Sequence, residues 1–276
     1  MSFDTAEKPN WCSGCGNFSI LTAIKKALQE LELKPHNVVL TSGIGCSSKI
    51  PHWVKTYGFN GLHGRPVPLA EGVKLANHEL KVLAFGGDGD GYAEGTNHFV
   101  HFCRRNMNVT YVVHDNQIYG LTKGQASPTS DEDFVTKTSP WGVIEKPVNP
   151  LALAIVSGAT FVARGFAGDP EQLKELMKKA IKHEGSALLD VLQPCVTFNT
   201  KNTYDWYRQR VYYLSKPAET RPEAVKKALE WGKRIPLGVF YQSKEETYES
   251  KLAQLKTPLV KQKLKTCVKK LVEELK

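Results

Sequence analysis

Asp88 and Asn116 are where chemistry can begin in this chain. Asp88 stands inside the run Gly86-Gly87-Asp88-Gly89-Asp90-Gly91, and Asn116 inside Asp115-Asn116-Gln117-Ile118-Tyr119-Gly120. Each side chain offers a hard oxygen. Magnesium takes carboxylate and amide oxygens, completed by phosphate oxygens in an octahedral array. Glycines around the acid let backbone N–H groups close on a phosphate. Gly-Asp-Gly with a later Asn reads as a magnesium–diphosphate clamp; the plainer reading is a tight turn with solvent-facing acids.

A second set of residues has softer chemistry. Six cysteines occur, at 12, 15, 46, 103, 195 and 267. Trp11-Cys12-Ser13-Gly14-Cys15-Gly16 puts two thiols on one turn, which reads as a redox pair, half a zinc site or half an iron–sulfur site. Cys46, in Ser42-Gly43-Ile44-Gly45-Cys46-Ser47-Ser48-Lys49, has room to reach a ligand, and reads equally as a buried small hydrophobe. Cys195 follows Gln193-Pro194. Cys103, between Phe102 and Arg104, and Cys267, in a lysine-rich stretch, read as structural. Lys49 and Lys123 can hold a carboxylate as point charges, or be ordinary surface charges. His63, in Leu62-His63-Gly64-Arg65-Pro66, can meet a phosphate or serve structure.

These residues need elements that bring their loops together. Residues 81–86 are an apolar run ending in glycine and read as a buried strand. Residues 86–91 read as a loop, 94–105 as a helix and 108–114 as a second strand, which makes one βαβ crossover. It sets Asp88 and Asn116 at two strand ends, where ligands of open α/β sheets bind. Residues 38–41 read as a strand whose end carries the Cys46 loop. Residues 187–192 read as another, with Cys195 just beyond. Helices are expected at 18–33 capped by Asn17, at 69–78 opened by Pro66 and Pro68, at 150–157, and after Asp169-Pro170. A strand is expected at 160–163. Residues 125–148 carry no periodicity and read as a functional loop, either a lid or a contact between subunits. The alternation points to an α/β fold with a doubly wound, mostly parallel sheet.

Beyond residue 196 the character changes. TFNTKNTYDWYRQRVYYL is aromatic and polar. Residues 223–233 read as helix, 235–241 as a short apolar segment, and 245–276 as basic helices broken near Pro258. The expected division is 1–196 as the α/β domain and 197–276 as a helical or irregular extension.

Composition limits the classes of function. The 276 residues are 41% hydrophobic and 24% charged, ordinary for a globular protein. Lys and Arg number 37 against 28 Asp and Glu, a net charge of +9. Solvated helix faces account for the excess, much of it beyond Lys174. No aromatic-interleaved basic motif marks a nucleic-acid binder. No apolar run reaches membrane-spanning length, and no apolar signal core opens the chain, so a cytoplasmic protein is expected.

The motifs also carry a resemblance. Gly87-Asp88-Gly89 followed by Asn116 resembles the diphosphate and magnesium motif of thiamine-diphosphate enzymes. The run at 115–125, Asp-Asn-Gln-Ile-Tyr-Gly-Leu-Thr-Lys-Gly-Gln, is similar to that of the beta subunits of 2-oxoacid:ferredoxin oxidoreductases. Gln117 stands where the wider superfamily often has a second Asn, in agreement with this subfamily. The likeness spans at least Trp11 to Phe198. It implies the thiamine-diphosphate-binding fold, with Asp88, Asn116 and the Ile118 carbonyl on Mg²⁺. Cofactor contacts would come from Ile44, Gly45, Cys46, Ser47, His63, Gly89, Asp90, Gly120 and Leu121. Cys12, Cys15, Cys46 and Cys195 would ligate one [4Fe–4S] cluster. Lys49 and Lys123 would meet the substrate acid, and Leu121 would sit beneath the cofactor.

The activity so implied is CoA-dependent oxidative decarboxylation of a 2-oxoacid such as pyruvate or 2-oxoglutarate, with electrons passed through the cluster to ferredoxin. The implied partner is an alpha subunit, with a fused or separate gamma subunit, that supplies the glutamate facing the aminopyrimidine. Glu71 and Glu94 are the candidates within this chain. Two other readings stand beside it: a thiamine-dependent decarboxylase subunit without redox function, and a non-catalytic phosphate-binding module with a basic docking tail.

Overall fold

Apolar strands alternating with amphipathic helices build an open sheet with helices on both faces. The computed structural model describes residues 2–262 and 272–274. The chain runs α1 (Asn17–Glu30), β1 (Val38–Ser42), β2 (Tyr57–Asn60), α2 (Pro66–Ala76), β3 (Lys81–Gly87), α3 (Thr96–Arg105) and β4 (Val109–Asp115). It continues through α4 (Pro150–Val156), β5 (Phe161–Phe166), α5 (Pro170–Lys182) and β6 (Ser186–Leu192). The last elements are α6 (Tyr204–Arg208), β7 (Val211–Tyr213), α7 (Arg221–Ala228) and β8 (Ile235–Gln242).

The strand order is β2-β1-β3-β4-β6-β5-β8-β7. Neighbours are parallel except β5 with β8. β4, β5 and β6 are buried along their whole length, as covered parallel strands must be. Ile20, Ile24 and Leu28 of α1 pack with Leu173 and Met177 of α5 on one face. Phe99 and Phe102 of α3, Leu151 of α4 and Ala224 of α7 cover the other. From β1 the chain goes to β2 on one side, then crosses to β3 on the other. The crevice between the carboxyl ends of β1 and β3 is therefore the topological switch point where such sheets bind ligands.

Four expectations change in detail. Residues 86–91 are not a loop: Gly86 and Gly87 end β3, and from Asp88 the chain winds at once into a helical turn, π-helical at Asp90–Glu94, that feeds α3. Gly89 has helical angles, φ −61° and ψ −44°. Its hydrogen is needed for space, because a Cβ there would lie 2.3 Å from the Tyr119 ring. Asn17 does not cap α1; Gly16 holds that position, and the Asn17 side chain is drawn inward to His114 Nδ1 at 2.7 Å. Part of the Cys46 loop is itself helical, a 3-10 turn at Ser47–Trp53.

The fourth change concerns the extension, which is more than helical or irregular. It adds β7 and β8 to the sheet, with Ile235, Leu237 and Phe240 fully buried. The Arg164 guanidinium of β5 lies 5.4 Å and 5.5 Å from the Trp231 and Phe240 ring centres. Residues 245–262 form only single 3-10 turns; Leu255 and Pro258 are their buried apolar side chains, too little to hold a helix. Of the helix expected further on, residues 263–271, with Cys267, lie outside the described residues, and 272–274 are helical. Among the described residues no helix is long and apolar enough to cross a membrane.

Candidate active site

Adjacent strands deliver the site. The ends of β1, β3, β4 and β6 are neighbours in the sheet, with Gly87 level with His114 and Asp115 level with Leu192. Their loops enclose a cleft of about 80 Å³. Asp88, Asn116 and Ile118 line it, with every residue expected to touch the cofactor: Ile44, Gly45, Cys46, Ser47, His63, Gly89, Asp90, Gly120 and Leu121.

Asp88 is 1% exposed. Burial pushes its carboxyl above the usual carboxylate range, and hydroxyls of Ser127 and Thr129 pull it back. Ser127 Oγ and Thr129 Oγ1 both donate toward Asp88 Oδ2, the latter at 2.7 Å. Thr129 Oγ1 also lies 2.8 Å from Asp115 Oδ1. These hydroxyls come from the aperiodic 125–149 segment, which thus braces the acid from behind. Asn116 is oriented by two contacts: Nδ2 donates to Gln193 Oε1 at 3.1 Å, and Oδ1 accepts from Ile118 N at 3.0 Å. A carboxylate, an amide oxygen and a main-chain carbonyl form a hard donor set that fits Mg²⁺.

Asp90 does a different job from Asp88. Its Oδ1 accepts the backbone N–H groups of Ile44 at 2.9 Å and Gly64 at 2.8 Å. One carboxylate so ties the loops after β1 and β2 to the turn after β3. Burial raises its pKa to about 6. His63 Nδ1 lies 3.5 Å from Asp90 Oδ1 and 3.2 Å from Glu94 Oε2. Ser47 is buried on the cleft wall, and its hydroxyl has no partner among the described residues. Such an orphan fits a wall that meets a phosphate oxygen.

A larger cavity, about 250 Å³, adjoins the cleft. Cys12, Cys15, Cys46 and Cys195 line it together with Lys49, Leu121 and Lys123. Cys46, Asn116, Gly120 and Leu121 are common to both spaces. A Cβ at Gly120 would lie 3.5 Å from Cys195 Sγ and 3.9 Å from Cys46 Sγ, so two sulfurs flank this one seam residue. Burial pushes the Cys15 thiol up to about 12, with the other three cysteines adding to the shift. Burial also raises Cys46. Among the described residues, no three His, Cys, Asp or Glu side chains are already gathered closely enough to hold a metal ion. Four thiols on one wall, Cys15 buried, Cys46 and Cys195 half-buried and Cys12 exposed, still fit a cluster, since soft sulfur ligands suit iron–sulfur cores and the core neutralises their charge.

Lys49 Nζ donates to Asn10 Oδ1 at 3.1 Å. Lys123 holds a positive φ of 76° in the turn closed by Gly124 N on the Tyr119 carbonyl, a conformation uncommon outside glycine. Of the two glutamates weighed, Glu71 is buried against Arg105 Nη1 at 2.9 Å and lines neither space. Glu94 accepts from Tyr119 Oη at 3.1 Å on the rim of the cleft. Cys103 is fully buried in α3, with its thiol pushed far up by burial, and is structural.

Ser127, Thr129 and Gln193, which hold Asp88 and Asn116, are side chains that the motifs did not reveal. The only sequence signal was a hydroxyl-rich Ser127-Pro128-Thr129-Ser130 run, and a buried-strand exit at Gln193.

Comparison with known proteins shows what the chain is similar to. Residues 43–191 match the family described as thiamine pyrophosphate enzyme, C-terminal TPP binding domain. Residues 195–257 match the family that describes the C terminal of the pyruvate ferredoxin oxidoreductase beta subunit. The chain is 51% identical to the 2-oxoacid:ferredoxin oxidoreductase subunit beta of Saccharolobus solfataricus, covering 89% of this chain and 86% of the relative. It is 49% identical to 2-oxoacid:ferredoxin oxidoreductase 1, subunit beta, of Aeropyrum pernix, over 92% and 84%. A solved 2-oxoglutarate:ferredoxin oxidoreductase from Magnetococcus marinus, with 2-oxoglutarate, coenzyme A and succinyl-CoA bound, superposes with a TM-score of 0.92 at 38% identity, over 99% of this chain and 94% of that one.

Proposed function

The chain belongs to the beta subunits of the 2-oxoacid:ferredoxin oxidoreductases, and from that premise we propose how its two cavities divide the work. It is an enzyme subunit with a thiamine-diphosphate-binding domain, and the naming of its relatives as beta subunits implies an alpha subunit as counterpart. The readings as a non-redox decarboxylase and as a non-catalytic module are set aside by this membership. The family reaction joins a 2-oxoacid and coenzyme A to give acyl-CoA and CO₂, with ferredoxin taking the electrons. When bound, thiamine diphosphate supplies the carbon nucleophile and electron sink, and a [4Fe–4S] cluster supplies a one-electron relay.

In our reading Asp88, Asn116 and the Ile118 carbonyl hold Mg²⁺, and the Ile44–Ser47 loop with His63 and Gly89 grips the diphosphate. Asp90 positions that loop. Cys12, Cys15, Cys46 and Cys195 hold the cluster. Lys49 and Lys123 hold the substrate carboxylate, and Leu121 forms the floor of the cavity beneath the cofactor. At about 80 Å³ the cleft is well below the roughly 300–1,000 Å³ of pockets that enclose a whole ligand. The alpha subunit therefore covers the rest of the cofactor and brings the glutamate for its aminopyrimidine. We assign cofactor binding to residues 1–196, and packing on the core or the partner to 197–276. A reducing cytoplasm suits four free thiols.

The observation that carries this reading is the sharing of Cys46, Asn116, Gly120 and Leu121 by the cleft and the cysteine cavity, which makes a short electron path. The test is anaerobic co-purification with the alpha subunit, followed by iron, sulfide, magnesium and thiamine assays. The expected complex is brown, holds four iron and four sulfide at this site, and reduces ferredoxin only with both 2-oxoacid and CoA. A colourless complex carrying zinc, or releasing aldehyde without ferredoxin reduction, overturns it.

A further inference from the structure

Gln193 touches both halves of the site. It is 1% exposed, just past the end of β6. Its Nε2 lies 2.7 Å from the Pro194 carbonyl and 3.5 Å from Cys15 Sγ, and its Oε1 accepts from Asn116 Nδ2 at 3.1 Å. The Pro194 carbonyl can only accept, so it sets which end of the amide is nitrogen. One N–H then remains for the Cys15 sulfur, and the oxygen is left facing Asn116. Asn116 must in turn point Nδ2 at Gln193 and present Oδ1 on its other side. An amide serves a hard cation only through oxygen, and Gln193 on Nδ2 together with the Ile118 N–H on Oδ1 sets Asn116 in the orientation a ligand needs.

Gly16 makes room for this arrangement. A Cβ there would lie 2.9 Å from Gln193 Cγ, although Gly16's own backbone, at φ −59°, suits any residue.

We propose that Gln193 is a positioning residue that serves both centres: an N–H donor to the Cys15 thiolate of the cluster, and the acceptor that turns the Asn116 amide oxygen toward Mg²⁺. The proposal rests on the cluster and magnesium assignments above. Its electrostatic consequence has a definite sign. A donor to sulfur stabilises the more negative, reduced cluster, so it raises the reduction potential. Outer-shell partners of a metal ligand are worth roughly 10–100-fold in metal affinity.

The test compares Gln193→Met and Gln193→Glu in the complex with the alpha subunit. The midpoint potential is read by EPR-monitored redox titration, and Mg²⁺ affinity by titration in saturating thiamine diphosphate. Gln193→Met removes both contacts, so it lowers the potential and weakens Mg²⁺ about tenfold. Gln193→Glu keeps an acceptor for Asn116 but loses the N–H that reaches sulfur. It lowers the potential and restores Mg²⁺ affinity. Gly16→Ala displaces Gln193 from the opposite side and matches Gln193→Met, which covers the case in which the latter fails to fold.

Wild-type potential and Mg²⁺ affinity in Gln193→Met overturn the proposal while leaving the cluster reading intact. Mg²⁺ affinity as weak in Gln193→Glu as in Gln193→Met overturns the Asn116 contact. A wild-type complex without iron and sulfide removes the sulfur half together with the cluster reading, and the Mg²⁺ titration still decides the amide half.

Discussion

Asp88 and Cys46 follow neighbouring strands, yet they are held in different ways. Asp88 is gripped through its side chain, by the hydroxyls of Ser127 and Thr129. Cys46 is held through its backbone, with Trp11 Nε1 donating to its carbonyl at 2.7 Å. The same contrast separates the two cavities. In the cleft, Asn116 and Asp90 are also locked by side-chain hydrogen bonds, so the oxygen ligands are preorganised by the chain itself. In the cysteine cavity, turns and strand ends deliver the thiols to one wall, and under the proposed function a bound cluster would set their final spacing. A hard cation of fixed octahedral geometry rewards the first design. A cluster that brings its own rigid core can use the second.

If the two cavities are built independently, each can be emptied without the other. Asp88→Ala has the largest expected effect. It removes the only carboxylate of the clamp, so thiamine diphosphate and Mg²⁺ binding should fall by more than the roughly 100-fold upper range of outer-shell losses. Iron and sulfide content should stay at the wild-type level. Cys15→Ser should do the reverse, abolishing the cluster absorbance and ferredoxin reduction while equilibrium dialysis still finds Mg²⁺-dependent thiamine diphosphate binding. Either variant emptying both cavities would break the comparison.

The lysines probe the larger cavity at its border with the cleft. Hydrogen bonds to charged groups are worth roughly 1.5–3 kcal/mol, which corresponds to about tenfold or more in affinity. Lys49→Met with Lys123→Met should therefore raise KM for pyruvate or 2-oxoglutarate at least about tenfold, with both cofactors retained. An unchanged KM would remove the lysines from substrate binding. Thr129→Val sharpens the preorganisation argument. It deletes one of two hydroxyls on Asp88 without touching a ligand, and should weaken Mg²⁺ about tenfold in titration calorimetry.

Legibility in the sequence followed the range of the interactions. The crossover from β3 through α3 to β4, the loops carrying Cys46, Asp88, Asn116 and Cys195, and the Asp169 cap of α5 follow from local patterns: apolar runs, glycine-rich exits, and Asp before Pro; the strand order and β2 did not. The bracing of Asp88 does not. Ser127 and Thr129 reach it across most of a βα unit, from a segment with no period to mark its path. Asn17 misled because capping is a local preference, and a buried histidine competed for the same side chain. β8 was only an apolar segment until β5 provided an edge for it.

The smallest predicted effect comes from a residue that belongs to neither cavity. Lys74 on α2 is 3% exposed, and its Nζ donates to the carbonyls of His78 at 2.6 Å and Leu80 at 2.9 Å. Burial lowers its pKa to about 8 from an ordinary 10.5, opposed by Glu249 and helped by Lys81. Below pH 8 both folded and unfolded chains carry the charge, and the cost of burying it is felt in full. Between pH 8 and 10.5 the unfolded chain holds more of this proton, so this lysine makes stability rise with pH, by on the order of 1–3 kcal/mol over the window. In Lys74→Met that contribution is gone. Subtracting the pH dependence of the variant's unfolding free energy from that of the wild type should leave a curve that climbs through this window and is flat below it. Mg²⁺ affinity and iron content should be the same in both proteins at about pH 7.5, below the window in which Lys74 titrates. A change in either would mean that α2 helps set the switch-point crevice, and that the cavities depend on packing beyond the residues that line them.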